Sequence, residues 1–136
     1  MKPYYESDPR ACLESIMLIH PRLCLNGYDG PGTEEKRREM LEMHVEAFYR
    51  CCVLLGGVKK SMTFNRHHYS YGLKHVLERA IGMYVANGIA IAALVATGFG
   101  IMPADTVNIM FNMGQADYKS LRNMAIENLQ HPLPHR

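Results

Sequence analysis

AIGMYVANGIAIAALVATGFGIMPA, residues 80–104, carries no charged side chain across its 25 positions. A helix needs roughly 20 apolar residues to cross a bilayer, so the run poses a choice between a membrane span and a buried core. Its interior favours the core. Asn87-Gly88 sits where a helix stops and restarts, and Gly98-Phe99-Gly100 breaks it again. Between these breaks lies GIAIAALVAT, which is roughly 15 Å of helix and half a bilayer. A short helix that is apolar on every side must be wrapped by others. The expectation is a single all-α domain over 1–136, with about five helices around a central apolar helix at 88–97. A membrane span over 80–104 is the competing reading.

The flanking segments supply the wrapping. Asp8-Pro9 pairs an N-cap with a proline at the first helical position, opening a helix that ends before Pro21. NGYDGPG at 26–32 is a cluster of turn residues. A second helix runs over 34–55, with Thr33 as its cap and Gly56-Gly57 as its stop. Leu41, Val45, Phe48, Cys52 and Leu55 form its apolar stripe, with His44 on the flank as a buried core-edge residue and Glu35, Glu39, Glu42 and Glu46 on the solvated side. VKKSMTFNR at 58–66 reads as a short strand or extended loop. A third helix begins near Ser70, and Lys74 lies four residues before Glu78 within it. Asn87 is expected to cap the central helix, Asp105 to start a short helical turn through Val107, Met110 and Phe111, and Asp117 to cap the last helix. HPLPHR at 131–136 reads as a frayed tail.

Composition excludes several classes. With 136 residues, 48% apolar and 21% charged, the chain is ordinary globular material. A net charge of +2 is too small to identify a nucleic-acid protein on its own. The first fifteen residues contain no apolar run of the signal-peptide kind, which points to a cytoplasmic, reducing setting. There Cys12, Cys24, Cys51 and Cys52 serve as small buried apolar residues. No serine lies in a G-x-S-x-G turn, and the glycine loop at 27–32 lacks the G-K-[ST] of a phosphate loop. A helix-turn-helix reading of 70–97 fails because the helix after Asn87-Gly88 has no Arg, Lys, Gln or Asn to read a base. No cofactor is implied.

Ser70-Tyr71-Gly72-Leu73-Lys74-His75, Glu78, Tyr84-Val85-Ala86-Asn87-Gly88, Ile91-Ala92-Ala93, Gly98-Phe99 and Asn108–Asn112 together resemble the pattern of a group of small helical proteins of bacteriophages and other bacterial mobile elements. The resemblance covers about residues 65–125. It implies a single-domain cytoplasmic helical protein without a catalytic role, acting in the setting of a mobile element and its host.

Chemistry-bearing residues concentrate in 59–79. Lys59, Lys60, Arg66, Lys74 and Arg79 stand against Glu78 alone, five positive charges minus one, or +4. With His67, His68 and Tyr69 they make a basic, aromatic candidate face for a phosphate backbone or an acidic partner. His67, His68, His75 and Glu78 are candidate metal ligands, although His-x-x-Glu reverses the order used in carboxylate-bridged metal sites, so a small metal-dependent enzyme is the second reading. Ten methionines and no tryptophan suggest an adaptable apolar surface. Met102, Met110, Phe111 and Met113 are its candidates, for a protein partner or a homodimer. The expected function is therefore non-enzymatic: binding a host protein or a nucleic-acid–protein complex, such as a defence system.

Overall fold

A computed structural model describes residues 2–28, 34–105 and 107–130, with side chains as far as 127. Within the charge-free run, residues 85–94 and Phe99 are buried, while Gly82, Met83, Tyr84, Gly98, Gly100, Met102 and Pro103 are exposed. Helix α6 (Asn87–Ala96) is buried at every position from Asn87 to Leu94. No helix among the described residues is long and apolar enough to cross a membrane.

The chain is all-α, with seven packed helices among the described residues where about five around a central one are expected from periodicity. A single turn, α1 (Tyr4–Ser7), precedes α2 (Pro9–Ile19). Asp8 caps α2 by accepting the Ala11 N–H at 3.1 Å, with Pro9 behind it. The helix expected over 34–55 is two, α3 (Glu34–Met43) and α4 (Val45–Leu55), because His44 leaves helical geometry at φ −123°, ψ 9°. The break lets each piece face a different neighbour. From α3, Arg37 donates to the carbonyls of Met17, Leu23 and Pro21 at 2.6, 2.6 and 3.1 Å. It thereby satisfies one acceptor left over at the end of α2 and two in the segment that follows. Meanwhile α4 packs Ala47, Phe48, Cys51, Cys52 and Leu55 into the core. His44 is half-buried, with its ring 6.3 Å from that of Tyr84, so it is not the buried core-edge residue expected.

Two antiparallel ladders lie at the margins. Strand β1 (Leu23–Cys24) pairs with β2 (Gly27–Tyr28), and β3 (Ile101–Pro103) pairs with β4 (Ile109–Phe111) in the register Ile101–Phe111, Met102–Met110 and Pro103–Ile109. This second hairpin replaces the helical turn expected after Asp105. The Asp105 carboxylate accepts the Val107 and Asn108 N–H groups at 3.1 and 2.9 Å, and that local bonding closes a turn. Two further caps are corrected. The N-cap of α6 is Ala86, which leaves the Asn87 side chain to donate to Asn26 O, Val107 O and Asn108 Oδ1 at 3.2, 3.4 and 3.0 Å. Helix α7 (Gln115–Gln130) starts before Asp117, which lies within its first turn. Helix α5 (Ser70–Ile81) begins where expected and stops at left-handed Gly82, φ 73°. Thr33, the Asp29–Gly32 part of the glycine loop and the 131–136 tail lie outside the described residues.

The expected apolar surface does not form. Phe111 and Met113 are fully buried and Met110 nearly so, because β4 turns all three residues of the strand into the core beside α5 and α7. Of the four candidates only Met102 is exposed.

Candidate functional site

The basic segment 59–79 divides into two places. On α5, Lys74 is only 7% exposed and donates to Glu78 Oε1 at 2.7 Å. The same oxygen accepts the Val85 N–H at 3.2 Å, and Oε2 lies 3.3 Å from His75 Nδ1. Burial alone would push the Glu78 carboxyl up. The Lys74 hydrogen bond, the Val85 N–H, the Lys74 charge and His75 outweigh it and hold the group below its usual range. The Lys74 ammonium also lies 4.9 Å from the Tyr84 ring centre and 5.8 Å from that of Tyr71. Lys74 is thus a buried, paired cation and not the phosphate contact that its sequence neighbours suggest. Arg79 is exposed in the last turn of α5, at the opposite end of that helix from Arg66.

The second place is the loop before α5. It has no regular structure, yet side-chain clamps fix it. Ser61 N–H donates to Asn112 O at 2.8 Å, and Asn112 Nδ2 donates back to Ser61 O at 3.1 Å. Asn65 is buried. Its N–H donates to Phe111 O at 3.0 Å, its Nδ2 to Met113 O and Gln115 Oε1 at 3.1 and 3.3 Å, and its Oδ1 accepts the His67 N–H at 2.9 Å. His68 stacks on Tyr118 of α7 with centroids 3.8 Å apart and planes 13° from parallel. Burial, then the Arg122 charge, push its pKa down, so the ring is neutral near pH 7.

Lys59, Lys60, Arg66, His67 and Tyr69 project outward from this clamped loop. The Lys60 ammonium rests 4.7 Å over the Phe99 ring. One exposed cation of α7 joins them, Arg122, one turn beyond Tyr118 and close enough to act on His68, and Lys119 is exposed on the same helix. Among the described residues, Lys59, Lys60, Arg66, Lys119 and Arg122 form no ion pair. An open cleft of about 290 Å³ lies in this loop, lined by Ser61, Thr63, Phe64, Asn65, Arg66 and His67 with Met113 and Gly114.

No family model matches this chain, and no curated protein or solved structure does either. Its own side chains therefore carry the functional reading.

The four metal candidates are not one group. His68 lies against α7 while His75 pairs with Glu78 on α5, and among the described residues no three His, Cys, Asp or Glu side chains come together as a metal site. The four cysteines are buried, and none is in a disulfide among the described residues. Burial, then the nearby Glu78 charge, push the Cys51 thiol up to about 12, and burial raises Cys52 further. Reactivity needs the thiolate, so the native protein is expected to leave Cys51 and Cys52 unmodified by Ellman's reagent at pH 8. Both should react on unfolding in guanidinium, and rapid native labelling of either would contradict their burial.

Lys59, Lys60, Arg66, His67, His68 and Tyr69 lie in one stretch of the chain, whereas Arg122, which the fold brings to His68, is not singled out by the sequence. The only signal was that Arg122 follows Tyr118 by four residues and shares its helix face. Nothing in the sequence says which loop that face meets.

Proposed function

We propose that the protein acts by binding an acidic macromolecule, without catalysing a reaction, and that loop 59–68 with the first half of α7 is the contact face. The carrying observation is the set of exposed cations Lys59, Lys60, Arg66 and Arg122, none in an ion pair among the described residues, at a loop clamped by Asn65 and Asn112. A loop ordered in advance loses little entropy on binding, so more of each contact appears as affinity. Unpaired surface cations steer an acidic partner toward it. In the mobile-element setting that the resemblance implies, the partner is a cytoplasmic host protein or nucleic-acid–protein complex, with a defence system the natural target.

A photoreactive residue replacing His67, in cells that carry the gene, tests this. Covalent adducts are expected at His67 and not at the exposed control Leu18, and Arg66→Glu with Arg122→Glu should remove most of them. Absence of adducts at His67, or adducts indifferent to the two reversals, would refute the assigned face.

A further inference from the structure

We infer that the acidic partner is a single-stranded nucleic acid, with one unstacked base seated in the cleft at Ser61–His67 and its flanking phosphates on the surrounding cations. This rests on the reading of the basic face above. The cleft is what favours a nucleic acid over an acidic protein. Its volume of about 290 Å³ admits a nucleoside and sits near the lower end of small-ligand pockets. Its lining brings Phe64 together with Ser61, Thr63 and Arg66, above the buried Met113. A carboxylate there could pair with Arg66 but has no flat apolar face to set against Phe64. A base has an apolar face for the ring and a polar edge for hydroxyls, so it suits the lining. Ser61 Oγ already donates to Thr63 O at 2.6 Å, which leaves its lone pairs to accept from a base N–H.

The charges fit a strand passing through rather than a lone mononucleotide. Lys59 and Lys60 precede the cleft residues, Arg66 lines the cleft, and Arg122 lies beyond His68. Single-strand binders combine cations along the backbone with an aromatic stacking platform, and Arg66 beside Phe64 in the lining supplies one of each. The Asp117 carboxylate borders Gly114 and would turn phosphates toward the loop side. Gly114 offers a way to close the cleft without altering charge. A Cβ there meets Asp117 Oδ2 at 3.4 Å and Ser61 Cβ at 4.0 Å, which is ordinary contact, so a larger side chain fits at its root and extends into the space.

The test is fluorescence anisotropy of a labelled twelve-nucleotide oligouridine, with a duplex of equal length and polyglutamate as competitors. Binding is expected at 50 mM salt. Four phosphate contacts would weaken it roughly fifty-fold by 200 mM. The duplex and polyglutamate should compete poorly. Arg66→Glu with Arg122→Glu should weaken binding at least about ten-fold and flatten the salt dependence. Gly114→Leu and, separately, Phe64→Leu should each weaken it about five-fold or more with the salt dependence unchanged, in protein whose melting temperature matches wild type. No oligouridine binding at 50 mM salt overturns the inference. So does binding indifferent to both cleft variants, which would be charge attraction alone. Polyglutamate displacing the oligonucleotide at equal charge also overturns it, while leaving the basic face as the contact surface for an acidic protein.

Discussion

Gly88→Ala is expected to leave the chain unfolded or barely folded at 37 °C, although it adds a single methyl group. The first turn of α6 lies directly on the backbone between β1 and β2. A Cβ at Gly88 would fall inside the shell of the Cys24 carbonyl oxygen, 2.8 Å from the Cys24 carbonyl carbon and 3.1 Å from Leu25 O. These are backbone atoms, so no rotamer change can relieve the clash. The β1–β2 turn or the whole of α6 would have to move. Movement would break the Gly88 N–H bond to Leu25 O at 3.0 Å. It would also disturb Asn87 Nδ2, which ties α6 to Asn26, Val107 and Asn108. Overpacking in a core that can relax costs about 1–3 kcal/mol. With fixed backbone as the obstacle and buried hydrogen bonds lost besides, about 4 kcal/mol or more is expected, in the range reserved for gross core disruption. Gly57→Ala is the control, because a Cβ there comes no closer than 3.9 Å, to Leu54 O. Thermal melts followed by circular dichroism should separate the two widely. A Gly88→Ala protein melting within a few degrees of wild type would mean that α6 does not sit on the Cys24–Leu25 backbone.

That contact explains part of what the sequence makes legible. Asn-Gly at 87–88 marks a restart of helix by ordinary propensity, and the restart is real. The glycine is needed for a reason propensity does not carry, the approach of a peptide about sixty positions earlier. Helix α6 itself is readable because a charge-free segment too short for a bilayer has only the core to occupy. The hairpin over 101–111 is not readable in the same way. Met110, Phe111 and Met113 carry no alternation, since β4 is buried on both faces and three-residue strands leave too little pattern to distinguish from a helical turn. His44 is compatible with a helix by propensity, and the break there follows from α3 and α4 packing on different neighbours. In the basic segment, charge was visible residue by residue, whereas availability was not. Lys59 and Arg66 are exposed while Lys74 is buried, because Lys74 faces a carboxylate and two tyrosine rings that only the folded α5 and the Met83–Ala86 connection bring together.

Removing that carboxylate, Glu78→Ala, is expected to cost about 3 kcal/mol and to change how stability responds to acid. The loss is larger than for a surface pair because what remains is a lysine 7% exposed with no counter-charge, and a Val85 N–H deprived of its acceptor. Replacing both charges together, Lys74→Met with Glu78→Gln, should restore most of the stability, since the amide can still accept from Val85 and no charge is left buried. The acid response follows from the direction of the Glu78 shift. Its folded carboxyl titrates below the usual carboxylate range, held there against burial by Lys74, Val85 and His75. Between the folded and unfolded pKa values the unfolded chain binds more protons, so stability rises with pH across that window. The contribution is complete above the unfolded value near pH 4.5 and disappears as pH falls through the folded one. Wild type should therefore lose stability more steeply than the double variant as pH falls below about 4.5, as read from urea midpoints at matched ionic strength. Identical pH profiles would mean that the Glu78 carboxyl titrates alike in the folded and unfolded chain. A Glu78→Ala protein as stable as wild type would mean that Lys74 reaches solvent instead of lying beneath Tyr71 and Tyr84.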